Sequence, residues 1–266
     1  VKTLRRHWPE YAIEAVCLGL FMASAAGCAT LLRHPSSPLS ALPDAMASVG
    51  LPARLPMGLA MGLTAAAIIY SPLGRRSGAH MNPAVTLTYL RLGKIAGGDA
   101  VGYVAAQFFG GAAGIVLATS MLRGLPAHPA INYVATVPGP AGAFAAFAAE
   151  AIISFGMMLT VLCASNNRRL ARYTGFLAGL LVALYITVED PFSGMSMNPA
   201  RTFGPALLAH TTRWLWIYFT APIVGMFAAA ETYVLARGRG RVHCAKLNHP
   251  AGGPCIFHCS FMEIPA

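Results

Sequence analysis

Several sets of residues in this chain have types and spacings that could do chemistry. The first is a doublet, SGAHMNPAVTL from Ser77 to Leu87 and SGMSMNPARTF from Ser193 to Phe203. Each carries Ser-Gly, three residues, then Asn-Pro-Ala: Asn82, Pro83 and Ala84 in one, Asn198, Pro199 and Ala200 in the other, 116 positions apart (198 − 82). An asparagine amide offers two donors and an acceptor, so the pair could orient a small polar molecule. The second set is two acids, Glu14 and Glu150, each embedded in an apolar run. The third is Arg201, three residues after Asn198. The fourth is the tail RVHCAKLNHPAGGPCIFHCSF, which gathers His243, Cys244, His249, Cys255, His258 and Cys259. Zinc prefers such donors, and Cys244, His249, Cys255 and Cys259 could supply four ligands. Their spacing is not that of a standard finger, and a reduced, disordered tail is the plain alternative. The chain shows no nucleophile beside a base, no phosphate loop and no catalytic carboxylate pair, so it does not read as an enzyme.

These groups must be positioned by an unusually apolar chain. Of 266 residues, 56% are hydrophobic and 11% charged, with mean hydropathy +0.58. A soluble domain carries about 25% charged residues, so this is a membrane composition. The net charge of +10 would suggest nucleic acid in a soluble protein. Here the bases sort by loop, and topology explains them without a nucleic-acid partner. Cys17, Cys28 and Cys163 lie in apolar runs, so the cysteines form no disulfide framework. The start has a basic head, an apolar run and small residues up to Cys28, like a secretory or lipoprotein leader. The run is long for a leader and contains Glu14, and so reads as a retained span.

Six segments approach the ~20 residues that cross a bilayer: Tyr11 to Leu32, Leu55 to Tyr70, Ile95 to Leu122, Ala141 to Ala164, Leu170 to Val188 and Trp214 to Ala236. The expected organisation is an N-terminal flank (1–10), one domain (11–236, with repeats 11–122 and 141–236) and a Cys/His-rich tail (237–266). Placing both termini on one side gathers Lys2, Arg5, Arg6, Arg75, Arg76, Arg91, Lys94, Arg168, Arg169, Arg172, Arg237, Arg239, Arg241 and Lys246 there. The other face receives Arg33, Arg54, Arg123, Arg201 and Arg213, so the positive-inside rule predicts cytoplasmic termini. Small residues recur every fourth position in five spans, as in Gly19, Ala23 and Gly27, which favours close helix packing.

Each half of the chain begins with a helix carrying one glutamate and later presents Asn-Pro-Ala. Three spans per half is odd, so the second half must enter the membrane from the opposite side: the repeat is inverted. Proline suits the first position of a helix and asparagine the cap before it. Each Asn-Pro-Ala therefore starts a helix of about eight to ten residues, roughly 12 to 15 Å, half a membrane. Such irregular backbone survives at depth only when buried or lining a watery cavity. Two half-helices from opposite faces would bring Asn82, Asn198 and two positive helix ends to one waist, where cations are disfavoured.

With its two Asn-Pro-Ala motifs, Glu14, Glu150, Gln107 and inverted repeat, the sequence resembles the aquaporin, or major intrinsic protein, family over roughly residues 10–236, in a bacterial-type form. The resemblance implies an all-α membrane fold of six spans plus two re-entrant half-helices and a passive channel, here expected as a homotetramer in a bacterial inner membrane. It implies no cofactor for transport, leaving zinc in the tail as a separate question. It further implies that Glu14 and Glu150 brace the re-entrant loops rather than relay protons, and that Arg201 belongs to an outer selectivity filter. Counting from the motifs places Ile186 and Met195 in that filter, with Met61 chosen over Gly62. His80 reads as a packed loop residue in preference to a pH sensor. Met61, Ile186 and Met195 are more apolar than orthodox water filters, which suits a solute with CH groups. Thr202, Ala206, Tyr218 and Phe219 resemble the water-selective branch. Water is the first expectation, glycerol or another small neutral solute the second, and a coupled transporter the third.

Overall fold

The structure, a computed structural model, describes residues 2–249 and 255–264. Its described residues form helices α1 (Lys2–Arg33), α2 (Leu42–Ser48), α3 (Leu55–Tyr70), α4 (Pro72–Ser77), α5 (Pro83–Arg91), α6 (Gly97–Met121), α7 (Gly142–Ser165), α8 (Thr174–Val188), α9 (Asp190–Ser193), α10 (Pro199–Leu208) and α11 (Leu215–Arg237), joined by short 3-10 turns. Five helical segments are long and apolar enough to cross a bilayer, and α3 is a shorter apolar helix of 16 residues. With the half-helices α5 and α10 they make the expected six-plus-two set. Two details differ from the sequence reading. The first helix starts at Lys2 rather than Tyr11, so the N-terminal flank is helical, and α2 lies inside the polar connection between α1 and α3.

The first half contributes α1, α3, α5 and α6, the second α7, α8, α10 and α11. Within each half, the glutamate helix packs on the third long helix, α1 on α6 and α7 on α11. The short helices α3 and α8 pair across the repeat boundary. Each half-helix also crosses over, α5 lying on α11 and α10 on α6. The repeats are therefore interleaved around one core.

Small residues set these contacts. A Cβ on Gly110 would stand 2.1 Å from the Ala15 carbonyl oxygen, and one on Gly225 2.2 Å from that of Ala151. These two glycines are 115 residues apart (225 − 110), and each faces the residue after its own half's glutamate. Only glycine permits the approach that holds each glutamate beside its re-entrant loop. Across the boundary, a Cβ on Gly62 would meet the Gly179 oxygen at 2.4 Å.

Charged or hydrogen-bonded side-chain pairs mark the two ends. His7–Asp99, Arg76–Glu10 and Arg91–Glu231 lie at the end bearing both described chain ends, and Arg54–Asp190 at the other.

Candidate functional site

The two re-entrant loops are built by the same local device. Gly78 and Gly194 have φ of 95° and 78°, after which Ala79 and Met81 in one loop and Met195 and Met197 in the other hold φ between 46° and 55°. Left-handed conformations at non-glycine residues cost on the order of 1–3 kcal/mol each and persist only when neighbours enforce them. Here the enforcing partners are the glutamates. Glu14, fully buried, accepts from Ser77 Oγ (2.7 Å), the N–H groups of His80 (3.1 Å) and Met81 (2.7 Å), and Gln107 Nε2 (2.9 Å). Glu150, equally buried, accepts from Ser193 Oγ and the N–H groups of Ser196 and Met197, all at 2.7 Å. Buried acceptors of this kind satisfy backbone donors that no water reaches.

The loops end where the half-helices begin. Asn82 Oδ1 accepts from the Ala84 N–H (2.8 Å), and Asn198 Oδ1 from those of Ala200 (3.1 Å) and Arg201 (3.2 Å). Both asparagines are extended N-caps, at φ −157° and −150°, with proline at the first helical position. Their amide nitrogens then cross the repeat boundary: Asn82 Nδ2 donates to the Met197 carbonyl and Asn198 Nδ2 to that of Met81, both at 2.7 Å. The half-helices thus meet end to end. Each amide nitrogen uses one hydrogen on this strap and retains a second.

A single cavity runs past this junction. Its wall includes Asn82, Asn198, Arg201, Met61, Ile186 and Met195, so all four residues proposed for the filter border the same space as the asparagines. Gly62 does not; it is spent in the contact with α8. Met57, Met61, Ala65 and Ile69 form one stripe of α3 on the cavity, and Ala178, Val182 and Ile186 one stripe of α8. Arg201 Nη1 donates to the Val134 carbonyl at 3.1 Å, which fixes the guanidinium against the loop after α6. Thr202, Tyr218 and Phe219 do not border the cavity. Thr202 bonds Ser196 and Thr136, Tyr218 donates to the Ser193 carbonyl (2.5 Å), and Phe219 sits against Phe108 and Phe203.

This arrangement has counterparts of known family. The sequence model for "MIP: Major intrinsic protein" matches residues 6–233. The chain belongs to the major intrinsic protein family. It is 33% identical over 230 residues to "Aquaporin NIP3-1" of Arabidopsis thaliana, covering 83% of this chain and 65% of that one. It is 41% identical over 185 residues to "Probable aquaporin AqpM" of Archaeoglobus fulgidus, covering 66% and 74%. The chain spans 60% to 65% of the length of the first plant relatives it matches. An X-ray structure of the aquaglyceroporin from Plasmodium falciparum superposes with a TM-score of 0.69 at 19% identity, covering 85% of this chain and 95% of that one, and shares the fold. Major intrinsic proteins are membrane channels and not enzymes, and the apolar helices of this chain fit a multi-pass member of that family.

Sequence reasoning overlooked several participants in this major intrinsic protein. Tyr103 donates to the Ser77 carbonyl at 2.6 Å, the counterpart of Tyr218 on Ser193, with the same offset of 115 (218 − 103) as Gly110 and Gly225. That spacing was available as a signal. The Val134 carbonyl was not, because every residue type carries one. His80 lies where a packed residue was expected: buried, its Nδ1 3.0 Å from Thr86 Oγ1, its ring stacked on Tyr89.

The described part of the tail departs from the disordered alternative. Val242, Ala245, Leu247 and Phe257 are buried, and Cys244, His249, Cys255 and Cys259 bring their ligand atoms within 4.8 Å of one another. Cys244 and Cys255 are 3.6 Å apart at sulfur, and Cys259 Sγ is 3.1 Å from His249 Nε2. The contact with Cys244, aided by His249, holds the Cys255 thiol well below the usual thiol range, while the same contact and burial push Cys244 up.

Proposed function

We infer that this channel passes small neutral solutes bearing CH groups, the glycerol class, together with water. The observation that supports this reading is the wall itself: Met57, Met61, Met81, Met157, Met158, Met195, Met197 and Met226 all border the cavity. Methionine is apolar, flexible and polarizable, so such a wall adapts to a carbon skeleton and offers water few hydrogen bonds. Arg201 and the spare asparagine hydrogens supply donors for hydroxyl oxygens, while Ile186 and Met195 accommodate the other side of the molecule. The features that favoured water, Thr202, Ala206, Tyr218 and Phe219, do not border the cavity.

In this reading Asn82, Pro83, Ala84, Asn198, Pro199 and Ala200 form the waist. Met61, Ile186, Met195 and Arg201 form the filter, and Glu14 and Glu150 brace the loops. The end bearing the termini is cytoplasmic, as its excess of arginine and lysine supports. Exposed apolar side chains such as Phe144 and Phe109 face lipid or the neighbours of a homotetramer. The tail cluster is a Cys3His zinc site. Three thiolates and one imidazole form a closed structural set, and tetrahedral Zn–S bonds of ~2.3 Å put ligands about 3.7 Å apart, close to the sulfur separation above.

Stopped-flow light scattering of proteoliposomes tests the solute, with an impermeant osmolyte for water and a glycerol gradient for glycerol. The expected result is glycerol flux well above that of empty liposomes, reduced relative to water by Ile186→His, which adds a polar ring to the wall. Glycerol flux equal to empty liposomes, with water flux intact, would return the channel to the water-selective reading.

A further inference from the structure

We propose that the tail is an inner gate of the channel, locked shut by the metal ion that its Cys3His set binds; this rests on the channel and zinc readings above. The tail reaches the conducting path directly. Leu247 is part of the wall of the same cavity as Asn82 and Arg201. Its N–H donates to the Gly78 carbonyl at 3.1 Å, so it is pinned to the first re-entrant loop four residues before Asn82. Two residues earlier, the Ala245 carbonyl accepts from His80 Nε2 at 2.9 Å. Phe257, from the second tail run, stacks on the His80 ring at 5.3 Å and 18°. These contacts cover one end of the cavity with residues from outside the helical bundle.

The ligands are distributed so that one ion would hold this cover together. Cys244 and His249 lie on the run that carries Leu247, while Cys255 and Cys259 lie on the run that carries Phe257. Within the described residues the two runs also meet through Ser260 N–H to the His243 carbonyl (2.8 Å), His243 Nδ1 beside Ser260 Oγ (3.3 Å) and the His249 ring stacked on Phe261 at 4.5 Å. The cover is also held on the bundle by His243 N–H to Asn166 Oδ1 (2.6 Å), Lys246 Nζ to the Arg75 carbonyl (2.9 Å) and His258 N–H to the Lys94 carbonyl (3.0 Å), and by burial of Val242, Ala245, Leu247 and Phe257. Ordering a tail costs conformational entropy for every residue fixed, and a multidentate ion offsets that cost in one step. With the ion removed, the runs separate, Leu247 and Phe257 leave His80 and Gly78, and the inner end opens.

The test combines metal spectroscopy and flux on the full chain. Cobalt(II) replacing zinc reports the site, since tetrahedral thiolate coordination gives charge-transfer and visible ligand-field bands. Flux of water and glycerol is then measured in proteoliposomes under reducing conditions, with zinc or a chelator on both faces. The gate requires one cobalt per chain with the thiolate signature, and a permeability that rises roughly fivefold or more on chelation, as the docked population falls. Cys255→Ser/Cys259→Ser should lose the cobalt bands and conduct freely with or without zinc. Leu247→Ala should keep the bands and lose the zinc inhibition. Absence of the thiolate bands in the native chain sinks the metal lock. Bands accompanied by equal flux with zinc and chelator sink the gate while leaving the site. No flux of any solute in the chelated chain and in both variants sinks the channel reading, and the gate with it.

Discussion

Replacing Glu150 with glutamine separates bracing from proton relay. The carboxylate divides its work unequally between its oxygens: Oε1 takes Ser193 Oγ and the Ser196 N–H, and Oε2 takes the Met197 N–H. A glutamine placed with its oxygen at the Oε1 site keeps two of these bonds and turns an NH2 group toward the Met197 N–H. Donor then faces donor in a site without water. Hydrogen bonds to a charged group contribute about 1.5–3 kcal/mol, and an unsatisfied buried donor costs about 1–3 kcal/mol. The same bond also helps hold Met197 at φ 55°, a strained conformation. Glu150→Gln should therefore destabilise the fold by about 2–4 kcal/mol, measured by reversible SDS unfolding in mixed micelles. It should also loosen the strap to Asn82, which donates to the Met197 carbonyl, and so lower flux without altering its pH dependence. At Glu14 the corresponding loss is partly recoverable, because Gln107 can flip its amide to present an oxygen. Glu14→Gln should therefore cost no more than Glu150→Gln despite having four partners to the other's three. A Glu150→Gln chain of native stability, whose flux had lost a pH dependence present in the native chain, would refute bracing and favour a relay.

Neighbouring residues on α3 should respond in opposite ways: Gly62→Ala must part α3 from α8, because its Cβ would sit 2.4 Å from a backbone oxygen, and overpacking of this kind costs about 1–3 kcal/mol or more in an unfolding titration. Met61→Ala, at the cavity wall, should instead widen the path and raise glycerol flux in liposomes. Tyr103→Phe and Tyr218→Phe each remove one buried hydroxyl donor and should cost a similar ~1–2 kcal/mol, additively, by the same titration. Glu189 supplies a pH test: burial first, then the nearby charges of Glu150 and Asp190, push its carboxyl, whose oxygens have no hydrogen-bond partner among the described residues, up to about 8. The native state then holds a proton that the unfolded chain has lost above about 4.5, so stability falls as pH rises between these values. Glu189→Gln should remove that slope, gaining at most about 4 kcal/mol over the native chain between pH 5 and 8 in melts at both pH values.

Much of the waist was legible because its local rules are strong. Proline after asparagine announces a helix start wherever it occurs, and the repeat of that signal after an odd number of spans fixes the inversion. The cavity wall was legible only to within one residue on α3, where Met61 and Gly62 differ by a rotation of 100° and the choice depended on the length of the intervening loop. Some side-chain types matched a family pattern without lining the cavity. Thr202 and Tyr218 are buried and bond the second re-entrant loop at Ser196 and Ser193, and Phe219 packs on Phe108 and Phe203. Contacts through main-chain carbonyls, such as Val134 to Arg201, leave no trace in residue type. The tail was the least readable, since Leu247 and Phe257 reach the first re-entrant loop across more than half the chain, and no periodicity records such a distance.

The inverted repeat itself gives a reason for the tail to be where it is. Position 85 in the first motif corresponds to position 201 in the second, and the chain places Val85 at one and Arg201 at the other. Both border the cavity, so one end receives a fixed cation, held by a loop carbonyl, and the other receives an aliphatic side chain. The two ends thus share one backbone pattern, with φ of 95° against 78° at Gly78 and Gly194 and −157° against −150° at Asn82 and Asn198, but carry different control. In the proposed reading, discrimination at the arginine end is built into the half-helix. At the valine end the half-helix supplies none, and the residue pinned to its loop is Leu247, delivered from outside the repeat. A gate appended to a symmetric scaffold is expected at the end the scaffold leaves without a filter, where an added segment can dock on Gly78 and His80 without competing with Arg201 for the same space.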